Sequence, residues 1–193
     1  MNQNNPEKPP TAKTPEPFSQ IQARIVTIAC LCLGFAIIAV IGGWAVTGTL
    51  TDWETVVGGI ILMAFLAGLA MLARRGRPAL AAWLLAGLLF LLVSADLFYY
   101  GLGSPSPIAF LLPVILLACT VGLKPGLAAA ALAVVLIFGV AWASLSGLLT
   151  VAIPVDESHL SYNAPVISVI LLFCAGLTGY TVDAYQRHIK QME

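Results

Sequence analysis

The chain has 193 residues, 60% of them hydrophobic and only 9% charged, with nine Lys and Arg balanced by nine Asp and Glu. A soluble globular domain carries about 25% charged residues, so this composition excludes one and points to an integral membrane protein. Zero net charge, with the basic residues split among turns, leaves no basic face to recruit nucleic acid.

Residues 1–17 are polar and carry Pro6, Pro9, Pro10, Pro15 and Pro17. They cannot bury enough apolar area to offset the entropy of ordering, and a disordered tail is expected. A brief amphipathic stretch, Phe18 to Arg24, leads into a first span over Ile25 to Val46, close to the ~20 residues that cross a bilayer as helix. Trp44 suits the headgroup zone at its far end, and the loop Thr47 to Glu54 carries Asp52 and Glu54. A second span, Thr55 to Ala73, returns to Arg74-Arg75-Gly76-Arg77-Pro78, the densest positive charge in the chain. Arginine costs about 2.5 to 3.5 kcal/mol at mid-membrane, so this turn must lie at a surface. A third span, Ala79 to Tyr99, ends in Asp96 and the pair Tyr99-Tyr100.

Gly101 to Pro107 reads as a tight turn, and Ile108 to Leu123 as a short fourth span bent at Pro113. Lys124-Pro125-Gly126 makes the next turn, Leu127 to Leu149 a fifth span, Thr150 to Asn163 a long loop, and residues 164–182 a sixth. A polar, helical exit segment follows over 183–193. Cytoplasmic loops retain Lys and Arg. With both termini inside, all nine basic residues (Lys8, Lys13, Arg24, Arg74, Arg75, Arg77, Lys124, Arg187, Lys190) fall on the cytoplasmic side, and the inverse topology puts all nine on the wrong face. The expected fold is therefore an all-α, six-helix transmembrane bundle over 18–182 with both termini cytoplasmic and Arg74, Arg75, Arg77 and Lys124 setting the topology. Small residues four apart (Gly139, Ala143 and Gly147; Ala64 and Gly68; Ala175 and Gly179) read as stripes that pack helices within the bundle, with a dimer seam along Gly139 as the alternative.

Chemical motifs are scarce. No phosphate-binding glycine loop, metalloprotease helix, nucleophile elbow or intramembrane carboxylate pair is present, and no cofactor or resident metal is implied. Cys30, Cys32, Cys119 and Cys174 all fall in apolar runs and read as packing residues. Asp96 reads as a carboxylate reaching the outer interface, with a ligand or ion contact as the alternative. Asp156, Glu157 and His159 read as solvated loop residues that could alternatively meet a divalent ion or an external signal. Tyr185, Ile189 and Met192 share one face of the exit helix, which either carries motion outward or simply ends in solvent.

Taken together, Arg74-Arg75-Gly76-Arg77, Gly101-Leu102-Gly103-Ser104-Pro105, Gly122-Leu123-Lys124-Pro125-Gly126-Leu127 and the charged exit from Asp183 make most of residues 21–193 resemble a known family. It is the membrane-embedded N-terminal sensor regions that precede output domains in many bacterial sensor histidine kinases and related signalling proteins. The resemblance implies a multi-pass protein of the bacterial cytoplasmic membrane, with signal reception in the bilayer. It also implies transmission through the sixth helix and its exit residues Asp183, Tyr185 and Ile189, and a homodimer formed by that helix or by a downstream output domain. The pattern is incomplete: no phosphorylation helix or ATP-binding domain is present, and His188 is followed by Ile189 and Lys190 rather than an acidic residue. The chain is then a fragment of a longer receptor or a stand-alone membrane subunit. The competing function is a small transport or complex-assembly subunit, which requires a polar cavity around Asp96 and the bent fourth span.

Overall fold

A computed structural model describes residues 18–47, 53–152 and 163–192, and these are helical with short turns and no strand. The expectations for residues 1–17 and for Asp52, Asp156, Glu157 and His159 lie outside the described residues. The helices are α1 (Phe18–Thr47), α2 (Trp53–Arg74), α3 (Pro78–Tyr100), α4 (Ser106–Ala109), α5 (Leu111–Thr120), α6 (Leu123–Leu145) and α7 (Ala164–Met192). Five of them, α1, α2, α3, α6 and α7, are long and apolar enough to cross a bilayer. Their outer faces expose Phe35, Ile61, Leu91, Val135 and Phe173. An apolar surface this continuous needs lipid rather than water against it.

The turn Arg75–Arg77 is built on Gly76 at φ 86°, and Pro78 opens α3 at a position whose amide hydrogen would have had no helical partner. Every described Arg and Lys lies at the end of the bundle that holds this turn, the start of α1, the start of α6 and the close of α7 (the basic end). Exposed rings mark both ends: Trp53, Tyr99, Tyr100 and Trp142 at the far end, Trp83, Tyr180 and Tyr185 toward the basic end. Amphipathic rings favour the two headgroup zones of a membrane.

The fourth span differs from its sequence reading. It is a pair of short helices, α4 and α5, that meet at Phe110 rather than one helix over 108–123. Pro113 has no amide hydrogen for the carbonyl of Ala109, so the interruption falls one turn before the proline. Together the pair runs from Ser106 to Thr120, a rise of about 22 Å against about 30 Å of hydrocarbon. The deficit is tolerable because α5 is the innermost helix. It packs against α1, α3, α6 and α7, and buries Pro113, Val114, Leu116, Leu117, Ala118 and Thr120. Irregular backbone at membrane depth is acceptable where protein covers it. Gln22 of α1 donates to the Thr120 carbonyl, meeting one acceptor that the end of α5 leaves open.

The next turn is also tighter than expected. Gly122 at φ 125° reverses the chain, and α6 begins at Leu123 rather than Leu127. Pro125 fits because the first amides of a helix lack helical partners in any case. Gly126 then lies inside the helix, where a Cβ would fall 2.7 Å from the Ala118 Cβ, so α5 and α6 approach to near backbone contact. Gly179 does the same for α6 and α7, its notional Cβ lying 2.6 Å from the Leu123 Cα, and Ala175 on the same stripe is fully buried. The other stripes do not pack within the chain. A Cβ at Gly68, Gly139 or Gly147 meets nothing within 4 Å, and Ala64 is exposed. Only the side chains that neighbouring helices supply decide which small residues are used, and α6 turns its Gly139 face outward.

Candidate functional site

At its far end, α3 stops at Gly101, whose φ of 76° turns the chain through Leu102–Pro105 and back into α4. The return places Ser106, 2% exposed, beside the last turns of α3, where its hydroxyl donates to Asp96 Oδ2. Ser104 Oγ lies 2.5 Å from Ser106 Oγ and 3.0 Å from the Gly101 carbonyl, and accepts from the Ser106 amide at 3.3 Å. From the side the segment after α6 holds the turn: Ala152 N donates to the Tyr99 carbonyl at 2.8 Å, and Val151 fills the space that a side chain at Gly101 would need.

Each hydroxyl has one proton, which fixes the polarity of this cluster. Ser106 spends its proton on Asp96, so Ser104 is the donor in the Ser104–Ser106 contact or else donates to the Gly101 carbonyl. Either way its proton is used inside the turn, and a lone pair on Ser104 is left facing outward. It faces a cavity of about 550 Å³ between the Leu102–Ser104 turn, α4, α5 and the first turns of α7, walled by Ile108, Leu111, Val166, Ile167, Ile170 and Leu171 with Asn163 opposite Ser104. That volume is within the range of small-molecule sites, about 300 to 1,000 Å³. The other concavities, between α1, α2 and α3 and along α3 and α6, are walled almost wholly by apolar side chains.

Asp96, read from sequence as an interface carboxylate or a ligand contact, is thus half-buried and stands behind Ser104 through Ser106 rather than lining the cavity. Arg74, Arg75, Arg77 and Lys124 are exposed at the opposite end and take no part. Asp183 lies on α7 at that basic end, with Oδ1 3.4 Å from where a Cβ on Gly122 would be, at the start of α6. Tyr185 is exposed, and Ile189 lies further along the same helix. Sequence reasoning missed Ser104, Ser106 and Asn163. The available signal was a turn with two serines closely following a helix that ends in a carboxylate.

Chemically the cluster holds rather than reacts. Ser106 aims its proton at a carboxylate, not at the imidazole or amine that activates a hydroxyl nucleophile in most covalent catalysis. Among the described residues, no group of three His, Cys, Asp or Glu side chains converges as metal ligands do. Comparison with protein-family models, with curated proteins and with solved structures gives no match.

Proposed function

We propose that the chain is the membrane-embedded sensing module of a bacterial signal-transduction protein. In this reading it crosses the cytoplasmic membrane six times, with the α4–α5 pair as the fourth crossing and both ends inside. It passes its signal through α7 to an output domain, as a homodimer. One observation carries the proposal: α7 walls the far-end cavity with Val166, Ile167, Ile170 and Leu171, then continues unbroken to Met192. At 1.5 Å per residue its 29 residues extend about 43 Å, beyond the about 30 Å of hydrocarbon. A stiff helix with a ligand-sized space at one end and a polar exit at the other links the two mechanically. Its contacts with the start of α6, Gly179 on Leu123 and Asp183 beside Gly122, are where a shift of α7 would register.

Spin labels at Lys124→Cys and Tyr185→Cys, both exposed sites in a background without the native cysteines, report the position of the α7 exit relative to α6. Filling the cavity with Ile167→Trp should shift that distance distribution. An unchanged distribution in a folded Ile167→Trp protein removes α7 as the transmitter. The competing reading, a small transport or complex-assembly subunit, draws support from the broken α4–α5 pair beside Asp96, since discontinuous helices line many transporter sites. Transport needs a path onward to the basic end, and Val114, Leu117 and Ala175 fill that direction in this conformation.

A further inference from the structure

We infer that the far-end cavity takes an amphiphile with one apolar tail and a head that donates hydrogen bonds, an alcohol or an amine, and that it discriminates against carboxylates and other anions. The inference rests on the reading of this cavity as the reception site and adds the class of ligand. Its basis is the proton count of the turn. Ser106 gives its proton to Asp96, and Ser104 gives its own to Ser106 or to the Gly101 carbonyl. The polar edge of the cavity at Ser104 therefore presents acceptor capacity without a spare proton. A head that only accepts would face that lone pair unpaired, which costs more than a hydrogen bond gains.

Charge acts in the same direction. Asp96 stands behind Ser104 through one intervening hydroxyl, every described Arg and Lys lies at the opposite end of the bundle, and low dielectric strengthens the field of a nearby carboxylate. An ammonium head is favoured over an alcohol and a carboxylate is repelled. Asn163, on the opposite wall, can donate or accept and so adds no preference of its own. The remaining wall is aliphatic, which suits a hydrocarbon tail.

The test uses the full chain in lipid nanodiscs with three photoreactive probes that share a twelve-carbon, diazirine-bearing tail and differ in head: amine, alcohol and carboxylate. Cross-links should map to residues 163–171 of α7 and 102–111, in the order amine, alcohol, carboxylate. Ser104→Ala should reduce amine labelling about tenfold and Ser104→Thr, which keeps the hydroxyl, should restore it. Asp96→Asn should narrow the gap between amine and alcohol. Unlabelled hexylamine added from water and dodecylamine dissolved in the bilayer distinguish an aqueous from a membrane source. Competition by either upholds the assignment, and competition by neither overturns it. Equal labelling by all three heads, or labelling indifferent to Ser104, also overturns it. Donor-head selectivity with no change in the distance between residues 124 and 185 refutes the sensing role and leaves the ligand class standing. A distance change on Ile167→Trp without head selectivity does the reverse.

Discussion

Replacing Gly179 with alanine tests the closest helix approach in the fold. The added methyl would fall 2.6 Å from the Leu123 Cα, 2.7 Å from its Cδ1 and 3.0 Å from its Cβ. A side-chain tip can rotate away, but a backbone carbon cannot, so α6 and α7 must separate along this contact. Gly139→Ala is the matched control, because it also lies inside a long helix and its new methyl would meet nothing within 4 Å. Both substitutions gain the same helix propensity, about 0.8 to 1 kcal/mol, so the difference between them isolates packing. Overpacking costs about 1 to 3 kcal/mol, and Gly179→Ala should be the less stable of the two by that amount. Loss of helical circular dichroism on titration from mild detergent into dodecyl sulfate measures both. Equal midpoints and slopes would show that the interface yields freely and that α7 is not seated on Leu123 as described.

Ser106→Ala removes the donor to Asp96, a hydrogen bond to an ionisable group worth about 1.5 to 3 kcal/mol. In a double-mutant cycle with Asp96→Ala the two losses should be strongly non-additive, and additive losses would mean that the pair is not coupled. For orientation, single cysteines at Arg75 and Ser146 occupy exposed positions at opposite ends of the bundle. A membrane-impermeant maleimide applied to intact cells should label position 146 and spare position 75 until the cells are opened. The reverse pattern would invert the proposed topology.

Helix existence was legible because lipid imposes a simple rule: a segment must be apolar over about 20 residues and satisfy its backbone internally. The five long helices follow it, as does the unbroken exit of α7 through Asp183. The turn at Arg74–Pro78 was legible for the complementary reason, since guanidinium groups cannot enter hydrocarbon. Less legible was the fourth segment, which appeared as a short apolar run holding one proline. Its division at Phe110 follows from the missing amide of Pro113, and its short length is accommodated because α1, α3, α6 and α7 enclose α5.

The site shows the same division. Asp96 could be singled out by charge alone, as an ionisable residue near the end of an apolar run. Ser104 and Ser106 could not, because serines in a Gly-Pro turn are ordinary, and their significance depends on how sharply Gly101 returns the chain toward α3. Small-residue spacing could not separate Gly179, pressed on Leu123, from Gly139, which faces outward.

From its sequence alone, the chain is a membrane protein of long helices with its basic residues gathered at turns and termini, because burial of charge and of unpaired backbone is costly whatever the tertiary arrangement. Only the tertiary structure decided which helix lies innermost, which glycines bear contacts, and that Asp96, Ser106 and Ser104 join behind a cavity walled by α7. Those are relations between distant segments, set by the packing of side chains that local hydropathy does not encode.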